Sequence, residues 1–186
     1  MIDLGSDVLP ALALGTEPPE PDVMDKPPRS PREPLFSAAV VRRILFLGGI
    51  QALGVTALFF WRLHSAGIPL GDFTAGNPVY REALTMTQAG IVVSQFFNSF
   101  TVRSDVLSIW TVGLLSNPRL LAAQAFGIAA MCLISYAPPA QRLFHTAALS
   151  LTDWALLVAA GALLLAADET RKAVCRWRAA RRGAQR

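Results

Sequence analysis

The sequence predicts an all-α, polytopic membrane helix bundle, with four full transmembrane helices preceded by a partial one. Hydrophobic residues make up 53% of the 186 residues and charged residues only 16%. Soluble domains of this length rarely combine so much apolar content with so little charge. The apolar residues also fall into long runs, with basic residues between and after them. The predicted surroundings of the chain are therefore lipid.

The basic character of the chain is interpreted as a topology signal. The formal net charge is +4, which in a soluble protein would suggest nucleic-acid binding. Here the basic residues flank apolar runs instead of lining a folded surface, so we expect membrane lipid and no nucleic acid as a partner. Cys132 and Cys175 stand in very different surroundings and predict no disulfide framework.

The chain opens with a short apolar segment and a proline-rich one. Residues 1–15, MIDLGSDVLPALALG, are too short to cross a bilayer, and they resemble the second half of a transmembrane helix. Residues 16–39 contain the run TEPPEPDVMDKPPRSPREP, in which proline and charge exclude a long helix or strand. We expect an extended cytoplasmic loop there. A proline-rich ligand for a small domain is the alternative.

Residues 40–167 contain four segments that approach the length of a bilayer crossing, which is about 20 residues. The segments are Val40 to Trp61, Ala83 to Phe100, Leu120 to Tyr136, and Leu151 to Ala167. The second is the least apolar, and polar side chains in a span normally face other helices. These segments predict a four-helix transmembrane bundle. Residues 168–186 predict a basic cytoplasmic tail, in which Asp168, Glu169, Arg171 and Lys172 form a solvated helix end.

The distribution of lysine and arginine predicts the orientation of the spans. Five basic residues lie before or in the first turn of the first span, two lie in the second connection and seven follow the fourth span. The positive-inside rule then places these basic loops and the C-terminus in the cytoplasm. An even number of crossings is consistent with that arrangement.

A possible cation-binding group occurs near the start of the chain. Asp3, Ser6 and Asp7 are spaced i, i+3, i+4, so a helix would place their oxygens on one face. Hard cations prefer such oxygens, and Pro10 would free a backbone carbonyl that could join them. The alternative is that both aspartates lie in water. An aspartate at mid-membrane costs about 2.5 to 3.5 kcal/mol, so an embedded pair needs a cation, a proton or a helix partner.

A second polar group lies on the second span. Gln95 and Asn98 are three residues apart, and Thr101 follows one turn later, which gives a stripe of neutral oxygens. The alternative is that these amides only hydrogen-bond between helices, at about 1 kcal/mol each. His64 and His145 have no companion ligands in the sequence and are interpreted as surface residues.

Several strings in the chain resemble one family. IDLGSDVLPALALG followed by EPPEPDVMDKPPRSPREPL resembles the sixth transmembrane helix and the next cytoplasmic loop of type II P-type ATPases, which include calcium pumps and the sodium-potassium pump. QFFNSF resembles the eighth family helix, and NPRLLAAQ resembles the start of the ninth. YAPPAQRLFHTAALSLTDW resembles the connection to the tenth helix, and DETRK its end. The resemblance covers essentially the whole chain.

The resemblance implies a transported cation and a set of ligands. It places family ligands at Asp3, Ser6 and Asp7 on the sixth helix, and at Gln95 and Asn98 on the eighth. Asp3 and Gln95 are similar to the sodium-potassium pump, and the ion stays open among Na⁺, K⁺ and Ca²⁺. No other cofactor is expected in this chain.

The resemblance also implies an integral, multi-pass protein of the cell membrane. The DKTGT phosphorylation loop, the nucleotide-binding domain and the actuator TGE segment of the family do not occur in these residues. The chain is therefore expected not to hydrolyse ATP alone. The leading hypothesis is a C-terminal membrane-domain fragment of a P-type cation pump that completes a catalytic half. The alternatives are a small membrane protein that modulates an intact pump, an inactive remnant, or a passive cation pore.

Overall fold

The computed structural model describes residues 2–19, 36–68 and 76–183, with the side chains of residues 7–19, 36–68 and 76–181. Most of the loop predicted over residues 16–39 lies outside the described residues. Within the described ranges the regular structure is helical, and the helices are α1 (Ile2–Leu14), α2 (Ala38–Ser65), α3 (Pro78–Thr101), α4 (Ile109–Val112), α5 (Pro118–Tyr136), α6 (Pro138–Phe144) and α7 (Leu151–Gly183). The prediction of an all-α membrane helix bundle is confirmed.

Local sequence signals explain where the helices begin. The side chains of Asn77 and Asn117 cap α3 and α5, and each asparagine is followed by a proline. Proline suits the first helical position because its missing N–H would have no intrahelical partner there. At the start of α7 the Ser150 amide donates to Asp153 Oδ2 at 2.8 Å, and the Asp153 amide donates to Ser150 Oγ at 3.2 Å. This reciprocal cap fixes the start of the last helix.

Helix α3 is the centre of the bundle. It packs against both α2 and α7, and α1 packs against α5 and α3. The buried core joins residues of three helices and the segment before α7, namely Met86, Ala89, Val92 and Val93 of α3, Met131 of α5, Leu149, and Leu157 of α7. Because α3 is enclosed by protein, its polar side chains can face neighbouring helices.

Among the described residues, three helices are long and apolar enough to cross a membrane, at Ala38–Ser65, Pro118–Tyr136 and Leu151–Arg181. They contain the first, third and fourth of the predicted spans. The second predicted span lies within α3, which has the length of a crossing. Its polar residues lower its hydropathy, as expected for a helix that other helices cover, and its crossing stays a prediction.

The prediction of a solvated helix end at residues 168–172 is wrong. Asp168 is 0% exposed and Lys172 is 1% exposed. Lys172 Nζ lies 2.9 Å from Asp168 Oδ2, and Arg171 Nε lies 2.8 Å from Asp168 Oδ1. The segment after α3 covers this part of α7, since Glu169 accepts hydrogen bonds from the Ser108 hydroxyl and the Ile109 amide. The charges of Asp168 and Lys172 are therefore inside the fold, whereas Glu169 and Arg171 are partly exposed.

Candidate cation site

The candidate site lies between α1 and α3. Gln95 Nε2 donates a long hydrogen bond to Asp7 Oδ2, at 3.4 Å. A cavity of about 160 Å³ adjoins this contact and is lined by Asp7, Pro10, Ala11 and Leu14 of α1 and by Gln95, Asn98, Ser99 and Val102 of α3. The structure thus brings together three of the predicted ligands, although they are up to 91 positions apart in the sequence.

The other two predicted ligands lie on α1, and their side chains are outside the described ones. The backbone of Asp3 and Ser6 is helical, so Asp3 stands one turn before Asp7 on that helix. Pro10 lies inside α1 and is buried. Because proline has no N–H, the carbonyl of Ser6 loses its usual intrahelical donor. That carbonyl is thereby left available next to the aspartates.

The orientation of Asn98 is fixed by Thr101. The single proton of the Thr101 hydroxyl is shared between the Asn98 carbonyl oxygen, at 2.8 Å, and Asn98 Oδ1, at 3.0 Å. Thr101 itself is completely buried. A bond from a buried hydroxyl restricts the rotation of the amide, and it leaves the second lone pair of Oδ1 for another partner.

Helix α5 is hydrogen-bonded to Ser99, which lines the cavity. Gln124 Nε2 donates to Ser99 Oγ at 2.5 Å, and the Ser99 hydroxyl donates to the carbonyl of Phe96 at 2.8 Å. Gln124 is 5% exposed and Ser99 is 6% exposed. These bonds satisfy two buried polar groups and hold α5 against the site end of α3.

A network centred on Arg103 holds the C-terminal end of α1 and was missed by sequence reasoning. Arg103 Nη2 lies 2.5 Å from Glu17 Oε1, and Nη1 donates to the carbonyl of Gly113 at 2.8 Å. Asn117 Nδ2 donates to Glu17 Oε2 at 2.7 Å and to the carbonyl of Ala13 at 3.1 Å. The capping dipeptide Asn117–Pro118 was a visible signal for the helix start, but nothing in the sequence paired it with α1.

The site offers one carboxylate and two amides from the described side chains. Among those side chains, no group of three histidine, cysteine, aspartate or glutamate residues is close enough to hold a metal ion. His64 and His145 are exposed, as predicted. Carboxylate, amide and carbonyl oxygens suit Na⁺ or Ca²⁺ better than a transition metal, which prefers nitrogen or sulfur ligands.

Comparisons with known proteins give a consistent result. A family described as "Cation transporting ATPase, C-terminus" matches residues 1–174. Calcium-transporting ATPase 1 of Bacillus cereus is 31% identical over 173 residues, which are 90% of this chain and 19% of that protein. Calcium-transporting ATPase 1 of Schizosaccharomyces pombe is 33% identical over 171 residues, 92% of this chain and 18% of that protein.

A mammalian relative matches the chain with a similar identity and coverage. Calcium-transporting ATPase type 2C member 1 of Mus musculus is 32% identical over 157 residues, 84% of this chain and 16% of that protein. The chain therefore spans less than a fifth of the length of these curated relatives.

Proposed function

Because the chain belongs to the family of cation-transporting ATPase C-terminal regions, we propose that it supplies part of the cation site and the membrane scaffold of a P-type pump. Its partner would be the polypeptide region that carries the phosphorylation and nucleotide-binding domains. The observation that carries the proposal is the contact between Asp7 of α1 and Gln95 of α3 beside a cavity. The two helices come from distant parts of the chain and meet at oxygen-bearing side chains.

Asp3, Ser6, Asp7, Gln95 and Asn98 are the proposed ligands. A cation entering the cavity would replace the Asp7–Gln95 bond, and the Gln95 amide would turn its oxygen toward the ion. A carboxylate inside a bilayer is costly unless a positive charge balances it. The ion offsets that cost, which gives the site affinity.

We propose Ca²⁺ as the transported ion. The relatives compared above are calcium-transporting ATPases by name. Asp3 and Asp7 together carry two negative charges, which balance one divalent cation. Ca²⁺ accepts six to eight oxygen ligands in flexible geometry, so the amides and the Ser6 carbonyl can share the coordination.

We also propose an orientation in the cell membrane. The basic residues before α2, after α3 and at the end of α7 would face the cytoplasm, as the positive-inside rule predicts. The catalytic region would then meet this chain on the cytoplasmic side.

The test is to co-express the chain with the Bacillus cereus ATPase truncated before the region that matches it. ATP-dependent uptake of ⁴⁵Ca²⁺ into membrane vesicles is expected only when both polypeptides are present. Asp7→Asn and Gln95→Leu should raise the half-saturating Ca²⁺ concentration about tenfold or more, since tenfold corresponds to about 1.4 kcal/mol. Parallel assays with ²²Na⁺ and ⁸⁶Rb⁺ test the choice of ion.

Arg178→Gln is the control, because it also removes a charge but lies at an exposed position of α7, so it should leave uptake unchanged. Uptake that needs no co-expressed chain, or that ignores both site substitutions, would contradict the proposal.

A further inference from the structure

The C-terminal end of α3 is held by two basic side chains from different helices. Lys172 Nζ of α7 donates to the carbonyl of Thr101 at 3.1 Å, and Arg43 Nη2 of α2 donates to the same oxygen at 2.7 Å. Thr101 is the last residue of α3. The final carbonyls of a helix have no intrahelical donor and carry the negative end of its dipole. Two cationic donors therefore fix the position of this helix end.

The lysine is itself enclosed. Lys172 is 1% exposed and forms its ion pair with Asp168, which is 0% exposed. Burying such a pair costs desolvation energy that an apolar pair of similar size would avoid. Such pairs are retained in some proteins because they fix one arrangement of the helices. Lys172 balances the charge of Asp168, and it also donates a hydrogen bond to the carbonyl of Thr101.

The same threonine orients a proposed cation ligand. The Thr101 carbonyl accepts from Lys172, while its hydroxyl donates to Asn98 Oδ1 at 3.0 Å. A chain of short contacts thus runs from Asp168 through Lys172 and Thr101 to Asn98. Each member except Asn98 is buried.

From this chain of contacts we infer that Lys172 is a positioning residue for the cation site, acting through Thr101 on Asn98. The inference rests on the proposed function, because it assigns Asn98 to a site that binds the transported ion. Loss of Lys172 removes one of the two cationic donors that hold the end of α3 and lets Asn98 change its orientation. The affinity for the ion then falls, while the steps that move the ion are unaffected.

Two substitutions and their combination separate positioning from charge balance. Lys172→Met removes the donor to Thr101 and leaves Arg171 as the remaining partner of Asp168, whereas Asp168→Leu with Lys172→Met removes the two buried charges together. Lys172→Arg keeps a cationic donor at that position. If Lys172 only balances Asp168, the double variant restores the wild-type site. If Lys172 positions Asn98, the double variant stays impaired and Lys172→Arg stays close to wild type.

The first readout is ⁴⁵Ca²⁺ uptake by the co-expressed pump. We expect the half-saturating Ca²⁺ concentration to rise about tenfold in Lys172→Met and in the double variant. Loss of a residue that hydrogen-bonds to a metal ligand lowers metal affinity by about tenfold or more. Uptake at saturating Ca²⁺ should stay at the wild-type rate. Thr101→Val should reproduce the shift, because it removes the hydroxyl that holds Asn98.

The second readout does not depend on transport. The chain contains three asparagines, Asn77, Asn98 and Asn117, so ¹⁵N-asparagine labelling in nanodiscs gives three side-chain amide signals. The Asn98 signal should shift in Lys172→Met and in the double variant, while the signals of Asn77 and Asn117 stay in place. Absence of wild-type uptake would count against the proposed function alone. An unmoved Asn98 signal, or a double variant with wild-type affinity, would overturn the positioning role.

Discussion

Arg103 is a buried charged residue that lies next to the end of α1. Its side chain is 0% exposed, and its guanidinium contacts Glu17, the carbonyl of Gly113 and the hydroxyl of Ser116. The planar fork of arginine reaches several acceptors at once, which a lysine cannot do. Arg103 therefore joins the end of α1 to the segment before α5, and it holds α1 in the position where Asp7 meets α3.

Replacing Arg103 should destabilise the fold. Arg103→Met leaves Glu17 without its buried counter-charge, and breaking such a pair costs about 3 kcal/mol or more. Arg103→Lys should cost less, because the charge remains while the fork is lost. Chemical unfolding in mixed micelles, followed by helical circular dichroism, measures both effects. Arg178→Met, at an exposed position of α7, should change the unfolding free energy by less than about 0.5 kcal/mol.

At the scale of helices, the close contact between α3 and α7 depends on a glycine of α7, Gly161, which has no side chain. A Cβ atom at Gly161 of α7 would lie 2.7 Å from Phe97 Cε2 of α3 and closer still to Cδ2. Gly90 of α3 similarly faces Leu157 and Val55 at 3.3 Å. Small residues let helix backbones approach closely inside a membrane, where packing contributes much of the association energy. Gly161 thus sets the distance between the two helices.

Gly161→Ala should therefore weaken the bundle. Overpacking of this kind costs about 1 to 3 kcal/mol, and the higher helix propensity of alanine offsets at most about 1 kcal/mol of that cost. The unfolding assay in micelles measures the net loss. Combining it with Phe97→Leu should recover part of the loss, since the smaller side chain leaves room for the new methyl group.

Gly49→Ala is the control for this prediction. A Cβ atom at Gly49 of α2 would meet nothing within 4 Å, so the substitution should be neutral or slightly stabilising. Equal changes in the unfolding free energy at positions 49 and 161 would show that the close approach of Phe97 to Gly161 does not affect stability.

The start of α7 gives a second test at this scale. Ser150→Ala removes the hydroxyl that accepts from the Asp153 amide and donates to Asp153 Oδ2 at 2.6 Å. Loss of such a cap costs about 1 kcal/mol. The same unfolding assay should show that decrease, and Ser65→Ala at the exposed end of α2 should have no comparable effect.

For the whole molecule, the length and apolar content of the runs were sufficient to predict the helices that face lipid. Val40 to Trp61 and Leu151 to Ala167 lie inside the observed α2 and α7 because hydropathy follows from contact with lipid. The burial of Asp168 and Lys172 could not be predicted in this way. The segment that covers them lies about 60 positions earlier, where Ser108 and Ile109 bind Glu169.

The part of the candidate site that could be predicted is the set of residues that spacing along one helix places together. The separation of Gln95 and Asn98 by one turn gave their shared location on α3. The role of Thr101 as the donor that holds Asn98, and the bond from Gln124 to Ser99, depend on rotamers and on helix packing. The spacing placed Thr101 one turn after Asn98, but it did not show that Thr101 donates to Asn98, and no local pattern paired Gln124 with Ser99.

The most direct test of the account is whether Asp7 lies in an apolar site that takes up a cation. Membranes containing the chain are treated with a hydrophobic carbodiimide or with a water-soluble one, and the modified carboxyl groups are identified by mass spectrometry of peptides. We expect Asp7 to react with the hydrophobic reagent, to resist the soluble one, and to be protected by Ca²⁺. Asp105, whose side chain is 71% exposed, should react with the soluble reagent whether or not Ca²⁺ is present. Ready modification of Asp7 by the soluble reagent, unchanged by millimolar Ca²⁺, would contradict the account.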